Sequence, residues 1–160
     1  MIVYDFEYER MNVKSFVYCE WIDDDRLVRA LPTARFLGRV RLEDHELAFV
    51  SFKEDGADAV FKGGCYLQPV PGAQTPGLLY EFDEAALAEA ERLSRVRQGR
   101  YRATRVEVVD SAGGRHSAVA YVVKHPGERV APSEEYKANM LAGARKHAFP
   151  ESYIDYLKTL

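Results

Sequence analysis

The sequence predicts an α+β fold: a small mixed, barrel-like sheet with peripheral helices. Three observations lead there. Short stretches rich in β-branched and aromatic residues, or alternating apolar with polar, recur along the chain. Helical patterns are few and fall mainly between strand-like segments near residue 90 and at the C-terminal end. The strand–helix–strand alternation of a doubly wound sheet is missing.

Each element has a local reason. Residues 1–9 alternate Val3, Phe6 and Tyr8 with acids, and residues 1–14 read as an N-terminal arm or an edge strand. Residues 14–18 (KSFVY) suit a buried strand. Asp23, Asp24 and Asp25 open a short helix toward Ala30, where acids meet the positive end of the helix dipole, and Pro32 closes it. Residues 34–41 and 46–52 read as two strands separated by a polar turn at Glu43, Asp44 and His45, with loops at residues 56–58 and 63–64. A strand at 77–82 (GLLYEF) precedes Asp83, an N-cap for a helix over 84–95 whose Leu87, Ala90 and Leu93 face the core. Gly99 leads into alternating strands at 101–109 and 117–123, joined by a Gly-rich hairpin loop at 111–114. After His125, Pro126 and Gly127 the pattern turns helical: Ser133 caps 134–147, and Pro150 starts a last helix.

Composition excludes several classes of protein. With 160 residues, 47% of them hydrophobic, the chain can bury a core without staples. Its 22 Lys+Arg against 25 Asp+Glu leave a net charge of −3, the wrong balance for a nucleic-acid binder that relies on a concentrated basic face. No apolar run approaches the ~18 residues of a membrane span. The start, MIVYDFEYERMNVK, has no basic region followed by an apolar stretch, so no secretory leader is expected. Cys19 and Cys65 make neither a disulfide framework nor a zinc set, so the cytoplasm is the expected compartment. No repeat or Gly/Ser linker divides residues 1–160, and a single domain is expected. Ten tyrosines against one tryptophan stand out.

General motifs of catalysis are missing. There is no dinucleotide fingerprint, phosphate loop or Gly-x-Ser-x-Gly elbow, and no cofactor is expected. His45, His116, His125 and His147 lack metal-ligand spacing, and solvent-facing roles suit them better; no metal is expected. Cys19 follows a buried strand, a place for a reactive thiol, although a small core hydrophobe is the plainer reading. Glu20 sits between Cys19 and Trp21, where partly apolar surroundings would suit a carboxylate to proton transfer; a solvated loop glutamate is the alternative.

The order of segments carries more than any single motif. Residues 16–27 (FVYCEWIDDDRL) line up with a Tyr-Gly-Ser-Asn-Leu loop and the helix that follows it. Residues 34–38 (ARFLG) precede a second strand, Gly77 to Phe82 carries a Gly-x-x-Tyr strand, and Gly99 to Arg102 leads into Val106-Glu107-Val108. Tyr121 lies in Ala120-Tyr121-Val122, and the tail holds Pro132-Ser133-Glu134-Glu135-Tyr136 and Phe149-Pro150-Glu151-Ser152-Tyr153. In this order, over about residues 16–156, the chain resembles the gamma-glutamylcyclotransferase-like superfamily. The resemblance implies the family's small mixed barrel with peripheral helices.

The implied activity is altered at two places. The family uses a glutamate about seven residues before the tyrosine of the next strand as general acid/base. Counting back from Tyr101 reaches Ser94, while Glu91 matches a preceding aspartate. A serine hydroxyl cannot by itself shuttle a proton at neutral pH. In the anion-binding loop, Gly, Ser and Asn are replaced by Cys19, Glu20 and Trp21, and Glu20 would repel a substrate carboxylate.

Two readings follow. The catalytic carboxylate has moved to Glu20, in an enzyme that cyclises or cleaves a small gamma-glutamyl-amine-like or other amide-bearing metabolite. Or the domain keeps its pocket and only binds a small molecule or a partner. In the first, Ser94 donates a hydrogen bond where the family glutamate stood. Tyr18, Tyr101 and Tyr121 orient substrate, and Cys19, Trp21 and Ile22 shape the site for a neutral or cationic ligand. A third alignment would make Glu91 the acid, which requires it to face the same cavity as Tyr18.

Overall fold

The computed structural model describes residues 12–54, 63–94 and 96–160. Residues 1–11 of the segment 1–14 expected as an arm or edge strand, and the loop at 56–58, lie outside them, while Val13 and Lys14 belong to the first strand. Six strands form one sheet: β1 (Val13–Val17), β2 (Arg35–Phe52), β3 (Gly64–Phe82), β4 (Tyr101–Asp110), β5 (Arg115–Val123) and β6 (Pro126–Arg129). The order β3-β1-β5-β4-β2-β6, with β3 also paired to β2, closes the first five into a barrel and leaves β6 on its flank. All pairings are antiparallel except β1 with β5. Helices α1 (Asp24–Ala30), α2 (Glu84–Leu93), α3 (Glu134–Lys146) and α4 (Glu151–Lys158) surround it. The mixed barrel with peripheral helices is the architecture the sequence predicts.

The β4–β5 hairpin is the simplest case of sequence dictating shape. Nine residue pairs run from Tyr101↔Val123 to Val109↔Arg115. Asp110 closes the turn, its carboxylate accepting from the backbone N–H groups of Ala112 and Gly114. Helix α2 is capped as expected, with Asp83 accepting from the Ala86 N–H, and α3 likewise by Ser133 from Tyr136.

The expected turn at residues 43–45 is instead a bulge within one long strand. β2 runs without a break from Arg35 to Phe52, and its register against β3 shifts between Glu43 and His45. Asp44 takes a positive φ of 58°, and its side chain accepts from the Gly72 N–H, so the polar residues bend the strand rather than reverse it. β3 correspondingly begins at Gly64, inside the segment read as a loop. β6, in a stretch expected to lead straight into helix, pairs with β2 through Val50↔Arg129 and Phe52↔Pro126. α2 stops at Leu93, which is 40% exposed and not a core residue like Leu87 and Ala90.

One stripe of α3 sets the geometry of the loop that follows β1. Tyr136, Asn139, Gly143 and His147 recur at helical spacing and meet residues 19–24 along its length. Gly143 is the point of closest approach, since a Cβ there would overlap the backbone of Ile22 and Asp23. Gly143→Ala is therefore expected to destabilise the protein by about 2 kcal/mol, overpacking outweighing the ~1 kcal/mol gain in helix propensity. A urea unfolding curve with an unchanged slope and a lower midpoint is the expected record; an unchanged or higher midpoint contradicts the packing argument.

Candidate active site

A cavity of about 1060 Å³ opens between β1, the start of β3, the end of α2 and the start of α3. Its lining includes Tyr18, Cys19, Glu20, Trp21, Ser94, Tyr101 and Tyr121. Seven of the eight residues singled out in the sequence thus border one space. The eighth, Ile22, is fully buried in the core and absent from that lining. Glu91 does not border the cavity either, as its alignment with the family acid would require.

The wall is built from both ends of the chain. β1 ends at Val17, and the chain then forms a short 3₁₀ turn at Glu20–Ile22. Tyr18, 3% exposed, donates its hydroxyl to the Tyr121 carbonyl at 2.7 Å, which ties the end of β1 to β5. The hydroxyl of Tyr18 is therefore committed to the frame. Burial, reinforced by Tyr101, Tyr136 and Tyr153, holds its pKa well above the usual phenol value, with Arg102 opposing. Tyr101 packs edge-on against Phe52 at 5.8 Å between ring centres, and its hydroxyl lies over Gly64, where any Cβ would collide with it. Glycine at 64 makes that approach feasible. Ser94 is the C-cap of α2, its N–H bonded to the Ala90 carbonyl.

Glu20 is held by a residue that no sequence motif marks. Asn139 of α3 donates to its Oε2 at 2.9 Å, and no other hydrogen bond to that carboxylate occurs among the described residues. Tyr136, one turn earlier, lies edge-on to Phe49 at 5.3 Å. Burial first, then the charges of Tyr101 and Glu20, push the Tyr136 pKa well up, so its hydroxyl remains protonated. The signal for this pair was available: positions 136, 139 and 143 share a helix face. What the pattern lacked was the partner of that face.

The cysteines also depart from expectation. Cys19 and Cys65 are joined in a disulfide, with their Cα atoms 6.3 Å apart. They are 46 residues apart in sequence, and only closure of the barrel brings the turn after β1 beside the start of β3. Tyr136 directs its hydroxyl at both sulfurs, 2.6 Å from Cys19 Sγ and 3.4 Å from Cys65 Sγ. Cys19 in this state is part of the wall and holds no thiol.

Charge in the cavity is one-sided. Glu20 and Glu134 border it, while no Lys, Arg or His does so among the described residues. Among those residues no three His, Cys, Asp or Glu side chains gather as a metal site. No helix among them is long and apolar enough to cross a membrane. The histidines are less idle than expected: His147 contacts Asp24 at 2.9 Å and His116 contacts Asp110 at 2.7 Å.

The closed mixed barrel with its helices is the fold of gamma-glutamylcyclotransferase-like proteins. The profile of the AIG2-like family matches residues 75–157, more than half of the chain, and the chain belongs to that family. It is similar to gamma-glutamylcyclotransferase of Mus musculus and of Homo sapiens, each 23% identical over 145 residues, covering 91% of this chain and 77% of theirs. Among solved structures, a gamma-glutamyl cyclotransferase superposes with a TM-score of 0.83 at 23% identity, over 93% of this chain and 88% of that one. YkqA from Bacillus subtilis superposes at 0.76 and 22% identity, over 94% of this chain and 54% of its own.

Proposed function

We propose that the protein is an atypical gamma-glutamylcyclotransferase-like enzyme that acts on a small amide-bearing molecule, with Glu20 as its general acid/base. The observation that carries this reading is that Glu20 and Ser94 border the same cavity. The Glu20 carboxylate thus borders the same space as Ser94, the residue that the resemblance aligns with the family's glutamate. The curated relatives named gamma-glutamylcyclotransferase support the reaction class.

In this reading the substrate's free amine attacks its own γ-carbonyl. Glu20 takes a proton from that amine and returns it to the departing nitrogen as the amide bond breaks. The products are a five-membered lactam and a free amine, with atoms and charge balanced. Asn139 fixes one carboxylate oxygen of Glu20. Ser94 supplies a hydrogen bond, and Tyr101, Tyr121 and Trp21 provide an amphipathic wall for the substrate's carbon frame. With Glu20 and Glu134 as the charged groups of the lining, a neutral or amine-bearing substrate fits better than one with extra carboxylates.

A panel of gamma-glutamyl amines and dipeptides tests this, with 5-oxoproline and free amine measured by chromatography. Glu20→Gln keeps the volume and an acceptor for Asn139, and is expected to lower kcat by about 100-fold or more with little change in KM. Unchanged turnover in the variant removes Glu20 from the chemistry. Saturable binding of a panel member without any turnover favours a binding domain that retains the family cavity.

A further inference from the structure

We propose that the Cys19–Cys65 bridge is a thiol-exchange site, at which a small neutral or cationic thiol becomes linked to Cys19 inside the cavity. The proposal shares the cavity described above but none of its acid–base chemistry, so the two stand or fall separately.

The two sulfurs are not equivalent. Both cysteines border the cavity, yet Cys65 is 2% exposed and sits within β3, whereas Cys19 is half-buried in the turn after β1. Exchange proceeds by attack of a thiolate on one sulfur with departure of the other, so access selects the sulfur attacked and stabilisation selects the one that leaves. Access favours Cys19. Tyr136 serves whichever sulfur leaves: its buried hydroxyl lies 2.6 Å from Cys19 Sγ and 3.4 Å from Cys65 Sγ, and once access has directed attack to Cys19 the thiolate forming on Cys65 is the stronger acceptor for it. The raised pKa of that hydroxyl keeps the donor proton in place.

The step balances without an oxidant. The incoming thiolate sulfur forms a bond to Cys19 Sγ, and the bond between Cys19 and Cys65 breaks. The electron pair departs on Cys65 Sγ, which then takes a proton. One disulfide replaces another.

The lining decides which thiols enter. Glu20 adjoins Cys19 in sequence, Glu134 borders the same space, and no basic side chain offsets them among the described lining residues. A thiol that carries a carboxylate meets like charge, while an aminothiol brings its own countercharge. Exchange also releases the turn at residues 19–22 from β3. The chain's single tryptophan, Trp21, lies in that turn and reports its release.

The experiment uses the untreated protein. A thiol titration after unfolding without reductant is expected to find no free thiol. Native protein is then mixed with 2-aminoethanethiol or with thioglycolate, quenched in acid, and read by intact mass, peptide mapping and tryptophan emission. Each rate is divided by that thiol's rate with a small neutral disulfide, which removes differences in intrinsic reactivity. The expected result is one adduct on the Cys19 peptide, a new thiol on Cys65 and a shift in Trp21 emission. The aminothiol should react about tenfold faster than thioglycolate at low salt, the gap narrowing as salt rises.

Where the adduct resolves to a dithiol too quickly to trap, Cys65→Ser removes the resolving sulfur. Cys19 should then retain 2-aminoethanethiol delivered from its symmetrical disulfide. Two free thiols in the untreated protein overturn the proposal. So does an adduct on Cys65, equal or faster reaction of thioglycolate, failure to label Cys65→Ser, or reaction only after unfolding.

Discussion

Reduction of the Cys19–Cys65 bridge is expected to cost about 4 kcal/mol of stability and to lower the thermal midpoint by roughly 10 °C. The link joins residues 46 apart, and cross-linking a loop of that length removes much of the freedom of the unfolded chain. The effect is large because little else spans the same gap: besides the Tyr136 hydroxyl shared by the two sulfurs, α3 packs against the turn at Glu20–Ile22 through Gly143, and β1 meets β3 through its far end, at residues 78–82. Circular dichroism melts with and without a strong reductant measure it. The double variant Cys19→Ser/Cys65→Ser should melt at the reduced protein's temperature and ignore reductant. Equal midpoints for oxidised and reduced protein would show that the barrel holds this turn unaided.

The second large effect belongs to Asp24. Its carboxylate is 10% exposed and accepts from Tyr80 at 2.7 Å, Lys146 at 2.6 Å and His147 at 2.9 Å, with Phe36 packed over both the Tyr80 and His147 rings. Burial opposes the charge, but the three hydrogen bonds outweigh it and bring the pKa down from 3.8 to about 2. A carboxyl whose pKa is lower folded than unfolded stabilises the protein above its unfolded pKa. That contribution is lost as pH falls through its folded pKa, here between about pH 4 and pH 2. Its size is about 2 kcal/mol.

Asp24→Ala should cost more at neutral pH, about 3 kcal/mol, because it also strands the Tyr80 hydroxyl and the His147 ring. Lys146 adds little to that figure, since its side chain is 45% exposed and regains water. Urea denaturation at pH 7 and near pH 2 tests both statements: the gap between parent and Asp24→Ala should be widest at pH 7 and shrink toward the acid end. A gap independent of pH contradicts the assigned charge.

Local chemistry made part of this molecule legible and concealed the rest. The β4–β5 hairpin, the Asp83 and Ser133 caps and the burial of Leu87 and Ala90 on α2 are written in contiguous residues, and they occur where the sequence places them. The bulge at Asp44 is hidden from the sequence because turn-forming residues have the same composition whether a strand reverses or only bends; pairing with β3 decides between the two. Leu93 shows the limit of periodicity, which says which side of a helix turns inward but not whether a cavity or packed side chains wait there. The disulfide and the Asn139–Glu20 bond join residues 46 and 119 apart, so their proximity is a product of topology. Of the seven predicted residues around the cavity, Cys19 and Glu20 stand out from their place after a buried strand, and the other five come from the ordered resemblance, since none of them carries a motif that suffices.

The barrel's seams are unequal. β1 meets β5 at a single ladder pair, Ser15↔Val119, supplemented by the Ser15 and Tyr18 hydroxyls on β5 carbonyls, and β2 meets β4 at two pairs only. The ladders of β4 with β5 and of β2 with β3 are long by comparison. By pairing, the ring divides into a two-stranded part and a three-stranded part that meet along two narrow seams. A side cleft of about 460 Å³ lies beside one seam, between residues 42–45 of β2 and residues 102–107 of β4. The larger cavity borders the other, with Ser15 and Tyr18 on one side and Tyr121 across from them. At that second seam the Ser15 and Tyr18 hydroxyls outnumber the ladder pair, so side chains on the cavity's own wall, and not backbone pairing, do most of the work of closing the ring there.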